Sequence, residues 1–157
     1  MERILVSACF LGEKVRYDGN SNTLINETLS QWKQSKQLMG FCPEVTGGLT
    51  IPRQPAEIQP ENERIITCDG EDVSRQFIRG AKRALAICQQ YNIRFVLLKE
   101  SSPSCGSTTI YDGSFENKKI IGEGVTTALL RQNGVSVFSE KNIVELIYAI
   151  KLLNEKP

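Results

Sequence analysis

Four apolar runs of strand length recur along the chain, separated by stretches with helical periodicity, and this alternation restricts the fold more than any other feature. The expected strands are Arg3 to Ala8, Gln37 to Phe41, Phe95 to Lys99 and Val135 to Phe138. Ile4-Leu5-Val6 and Phe95-Val96-Leu97-Leu98 are apolar at every position, which suits strands covered on both faces. Strands alternating with helices impose right-handed crossovers and a parallel sheet. The expectation is an α/β fold, one domain over residues 1–157, with a Rossmann-like, mainly parallel sheet flanked by helices and a small hairpin insertion.

The helices are read from spacing and caps. The first, capped by Asn22 or Asn26, turns Ile25, Leu29 and Trp32 inward. The second is capped by Asp72, carries Val73, Phe77, Ala81, Ala84, Leu85 and Cys88 on one face, and runs to about Tyr91. The third places Val125, Ala128 and Leu129 inward and stops at Gly134. In the last, Asn142 with Glu145 matches a capping box, and Ile143, Leu146, Ile147 and Ile150 face the core. Ile58 is expected to pair with Arg64 to Thr67 around Pro60-Glu61-Asn62, and Ile110 to Ile121 to form a flap or hairpin. The Lys156-Pro157 tail is expected to be disordered.

Composition narrows the chemistry. Nineteen basic and eighteen acidic residues nearly cancel, so nothing in the overall charge points to nucleic acid. No apolar run approaches the ~20 residues of a membrane span, and the N-terminus lacks the pattern of a signal peptide. Five cysteines, an odd number, with no C-x-x-C, argue against a disulfide framework and for the cytoplasm. Histidine is absent, which removes the Ser-His and Cys-His nucleophile pairs and the commonest zinc ligand.

Three cysteines, Cys9, Cys42 and Cys105, each end or follow an expected strand and are each followed by turn chemistry. In open α/β sheets, ligands bind beyond the carboxyl ends of the strands. Cys88 and Cys68 are instead read as packing residues. Thiolates gathered in one pocket repel one another unless a cation neutralises them, and a soft metal is the natural partner. Structural zinc needs four protein ligands, whereas three cysteines suit a 4Fe-4S cluster with one iron left open towards a soft substrate atom. With no histidine, any general base is a carboxylate. Glu44, two residues after Cys42, is the first candidate and Asp18 the second. Ser102 is placed to hydrogen-bond substrate or water, with Ser101 and Ser104 as substitutes. Arg53 is expected to pair with Glu57, Arg16 with Asp18, and Lys99 to be solvated.

The strings S-A-C-F-L-G (residues 7–12), R-Y-D-G (16–19), F-C-P-E-V-T-G-G-L (41–49), P-R-Q-P-A-E (52–57) and L-K-E-S-S-P-S-C-G-S (98–107) together resemble the thiouracil desulfidases, a widespread bacterial family. The resemblance covers Ile4 to about Glu140. It implies a 4Fe-4S cluster held by Cys9, Cys42 and Cys105, and removal of sulfur from a thiolated uracil with release of sulfide. The same residues leave other readings open: a structural zinc-thiolate or cluster-binding module, a sulfur or metal carrier, and a cluster-dependent dehydratase.

Overall fold

The computed structural model describes residues 2–155; the expectation for the Lys156-Pro157 tail lies outside them. Four strands, β1 (Ile4–Ser7), β2 (Leu38–Phe41), β5 (Phe95–Leu98) and β8 (Ser136–Ser139), form one parallel sheet in the order β2-β1-β5-β8. The chain leaves β1 towards β2, then returns past β1 to β5, so the strand order reverses between β1 and β5. That reversal opens a crevice at the carboxyl edge.

Five helices, α1 (Glu27–Gln34), α2 (Pro43–Thr46), α3 (Ser74–Gln90), α4 (Val125–Gln132) and α5 (Ile143–Asn154), complete the main frame. Alternate residues of the central strands serve opposite faces. Leu5, Val96 and Leu98 pack with Ala84, Cys88 and Leu130 of α3 and α4. Ile4, Val6 and Leu97 pack with Leu29, Trp32, Leu146 and Ile150 of α1 and α5. Two antiparallel hairpins stand outside the sheet: β3 (Ala56–Ile58) with β4 (Ile65–Thr67), and β6 (Thr109–Tyr111) with β7 (Lys119–Ile121). Both hairpins fall where the turn signals put them.

Helix α3 shows which force decides. It carries Arg75, Arg79, Lys82 and Arg83 and no acid. Like charges at this spacing cost about 0.2–0.5 kcal/mol per pair. Each large apolar side chain it buries returns about 1.5–3 kcal/mol, and Phe77 alone is 1% exposed. Burial wins, and the cations remain on the outer face.

Several expectations are corrected. Ile25 is 94% exposed, because it precedes the cap Asn26, whose Oδ1 accepts the Leu29 amide. Asp72 accepts the Ser74 amide one position outside the α3 cap, Val73. In α4 the fully buried residues are Thr126, Thr127 and Leu130; Val125 packs inward against the Phe77 cluster as expected, whereas Ala128 and Leu129 are only half-buried. The threonine hydroxyls explain the rotation: Thr126 bonds Ser104 Oγ, and Thr127 donates to the Cys105 carbonyl. The capping box at α5 does not form, since Asn142 Oδ1 turns back to accept the Ser139 amide. The first strand is shorter than expected. It starts one residue later, and its expected last residue, Ala8, opens a 3-10 turn, Ala8–Leu11, that contains Cys9.

Two contacts place the cysteine loops. Gly47 of the α2 end and Gly80 of α3 let these helices meet backbone to backbone; a Cβ on Gly80 would overlap the Pro43 carbonyl. The Cys105 loop is shaped by Glu100, which is 4% exposed. Its Oε1 accepts the amides of Ser101, Ser107, Thr108 and Thr109 at 2.8–3.2 Å, and its Oε2 accepts Ser107 Oγ. Burial works against this carboxylate, but the bonds from Ser107, Thr108 and Thr109 outweigh it and lower its pKa to about 2.

Gly80→Ala should therefore lose about 1–3 kcal/mol in urea unfolding, although alanine is the better helix former by about 1 kcal/mol. Glu100 binds its proton more weakly folded than unfolded, so it stabilises the fold above pH 4.5 and ceases to as pH falls towards about 2. Glu100→Gln should cost on the order of 3 kcal/mol at neutral pH, and its acid-unfolding curve should lack the steepening in that window.

Candidate active site

Beyond the carboxyl ends of β1, β2 and β5 lies a cavity of about 850 Å³, lined by Cys9, Cys42 and Cys105 among others. The structure thus brings together the three cysteines singled out from the sequence. Cys9 lies in the 3-10 turn after β1, Cys42 between β2 and the short helix α2, and Cys105 in the loop after β5. The extended segment Thr50 to Ala56 and the β6–β7 hairpin, through Tyr111 and Phe115, form the opposite walls.

Burial raises the pKa of all three thiols. Cys42 stands close enough to Cys9 and Cys105 that its charge opposes ionisation of each, and Glu44 adds to the effect on Cys105. Asn22 Nδ2 lies 4.0 Å from Cys9 Sγ, and Cys42 Sγ lies 4.0 Å from the Val15 carbonyl. Two buried thiols and a half-buried one, Cys42, that interacts with both are a donor set that a bound cation would ionise. Among the described residues, no three Cys, Asp or Glu side chains converge as they would around one metal ion. Three thiol donors lining one cavity, in a chain without histidine, match the ligand chemistry of an iron-sulfur cube, which takes one sulfur at each of separate corners.

Glu44 lines the cavity from α2, with its side chain 20% exposed. Burial raises its pKa, opposed by the charge of Arg53. Arg53 pairs with Glu44 at 3.3 Å and not with Glu57. The correction has a local cause. Glu57 is occupied by the Gly113 and Phe115 amides, at 2.9 and 3.1 Å, and so anchors the β6–β7 hairpin. Ser102 lines the cavity; its Oγ accepts the Cys105 amide at 2.8 Å and stands beside the Cys105 thiol. Ser104 is fully buried against Thr126, and Ser101 Oγ is bonded to Thr109 Oγ1, so neither matches Ser102 in access.

Asp18, the second candidate base, is not brought to the cavity wall. Its Oδ1 accepts the Asn20 amide and its Oδ2 pairs with Arg16 at 3.4 Å, which lowers its pKa and makes it a turn residue. Lys99 is not simply solvated: it lines the cavity and pairs with Glu140 at 2.7 Å. Cys68 is exposed because it follows the last residue of β4 instead of entering the core; it lies 3.0 Å from Gln54 Oε1 and also lines the cavity. Cys88 is buried as expected, and burial pushes its pKa up to about 11.

Sequence reading missed three contributors: Arg53 as the partner of Glu44, Glu100 as the organiser of the Cys105 loop, and Glu140, which joins Lys99 to the Glu100 amide. An acid standing next to the seven-residue turn Ser101 to Ser107, rich in amides and hydroxyls, was the available signal for Glu100. The long-range partners left none.

The profile of the 2-thiouracil desulfurase family matches residues 4–142. The uncharacterized protein YbbK of Bacillus subtilis (strain 168) is 41% identical over 152 residues, covering 92% of this chain and 99% of YbbK. Among solved structures, the [4Fe-4S]-dependent thiouracil desulfidase TudS superposes with a TM-score of 0.93 at 51% identity, covering 97% of this chain and 99% of TudS. The chain belongs to the 2-thiouracil desulfurase family.

Proposed function

We propose that this protein is a 4Fe-4S-dependent desulfidase that converts a thiouracil and water into uracil and hydrogen sulfide. The observation that carries the reading is the meeting of Cys9, Cys42 and Cys105 in one cavity with Glu44 and Ser102, in a chain without histidine. The family match and the likeness to TudS support it. The three cysteines would hold the cluster. When bound, the cluster supplies a Lewis-acidic iron without a protein ligand, suited to a soft thiocarbonyl sulfur.

The remaining work falls to the protein. Glu44, two residues after Cys42 and with one oxygen unbonded, takes a proton from the attacking water. Ser102 hydrogen-bonds the substrate or that water through its hydroxyl and keeps its proton. The Pro-rich wall and the β6–β7 hairpin limit access by bulk water. Oxygen replaces sulfur on the ring carbon and both water protons leave with the sulfide, so no electron donor is needed. All five cysteines are free, which fits a reducing compartment such as the cytoplasm, and among the described residues no helix is long and apolar enough to cross a membrane.

Anaerobically purified protein should be brown and hold roughly four irons per chain; colourless protein with stoichiometric zinc would refute the proposal. Cys105→Ala should lose the iron, and Cys88→Ala should keep it. Glu44→Gln should keep the colour while sulfide release falls roughly 10²–10⁴-fold, measured with thiouracil under argon; unchanged turnover removes Glu44 from this role.

A further inference from the structure

The Arg53 side chain is 8% exposed, yet it makes bonds to three separate segments. Its Nη2 donates to the Val15 carbonyl at 3.0 Å, in the loop that follows Cys9. Its Nη1 donates to the Thr50 carbonyl at 3.1 Å, in the cavity wall. Its own amide donates to the Tyr17 carbonyl at 2.7 Å. The remaining contact is to Glu44, and its form is informative. Nε and Nη2 both donate to the same oxygen, Oε1, at 3.3 Å each. A forked arginine–carboxylate pair usually engages both oxygens. Here Oε2 has no hydrogen-bond partner among the described residues, and it belongs to a side chain that lines the cavity.

We propose that Arg53 is a positioning residue for the reaction: it holds one oxygen of Glu44 and presents the other to the cavity beside the cysteines. Glu44 then accepts the proton at Oε2 without changing rotamer, and Oε1 keeps its charge-assisted bonds throughout. Without the fork the carboxylate is free to turn away, and misplacement by an ångström is costly to a reacting geometry. The bonds to Val15 and Thr50 hold the guanidinium itself in place. The inference rests on the assignment of Glu44 as the base.

The test uses anaerobically purified, cluster-loaded Arg53→Lys, Arg53→Gln, Glu44→Gln and the Arg53→Gln/Glu44→Gln double variant. Iron content and the visible absorption of the cluster are measured first, then kcat per cluster and KM with thiouracil. Arg53→Lys should keep the parent's iron content and spectrum and lose roughly tenfold in kcat, and Arg53→Gln roughly a hundredfold, both with KM within about twofold. The double variant should be no slower than Glu44→Gln, because the two residues act as one unit. Parental kcat in Arg53→Gln overturns the inference. So does a double variant that multiplies the two single losses, since Arg53 would then act independently of Glu44. Iron loss in both Arg53 variants with unchanged kcat per cluster also overturns it, and leaves Arg53 a loop staple. If Glu44→Gln turns over normally, the base assignment itself falls, an outcome distinct from an inert Glu44→Gln beside an unaffected Arg53→Gln.

Discussion

Parallel pairing of β1 between β2 and β5 is the constraint from which the site follows. In a parallel sheet all strands end at the same edge, so the loops carrying Cys9, Cys42 and Cys105 emerge together although they lie far apart in the chain. The pairing is enforced by burial on both faces: Leu5, Val96 and Leu98 serve one core and Ile4, Val6 and Leu97 the other. A slip of one residue would exchange these sets and aim the following loops wrongly.

Above that frame, buried carboxylates do the local work, and they are treated differently. Glu100 is saturated by four amides and a hydroxyl, and it acts as a template for the Cys105 loop. Glu57 accepts two amides and holds the β6–β7 hairpin over the cavity. Glu44 is engaged by a charged side chain, Arg53, on one oxygen only. A group satisfied on every side is architecture; a group left half-satisfied beside a cavity is where chemistry is expected.

Much of this was legible in the chain. The strands, both hairpins and the long amphipathic helix follow from periodicity and turn residues, and the three cysteines stood out because each follows a strand. The departures have separate causes: Ile25 lies one residue before the cap Asn26, Asn142 turns to the Ser139 amide three residues back, and the α4 face is set by Ser104 and Cys105, 22 residues away. Arg53 was assigned to its near neighbour Glu57, yet Glu57 belongs to amides 56 and 58 residues further on.

By itself the sequence determined the kind of fold, the absence of histidine chemistry and the identity of the thiols, because apolar periodicity and residue type are properties of the chain. The tertiary structure decided which carboxylates and hydroxyls line the cavity with the thiols, and that Arg53 pairs with Glu44. Those depend on distances between segments brought together only by packing, and hydrogen bonds and charges act over a few ångströms of space irrespective of separation along the chain.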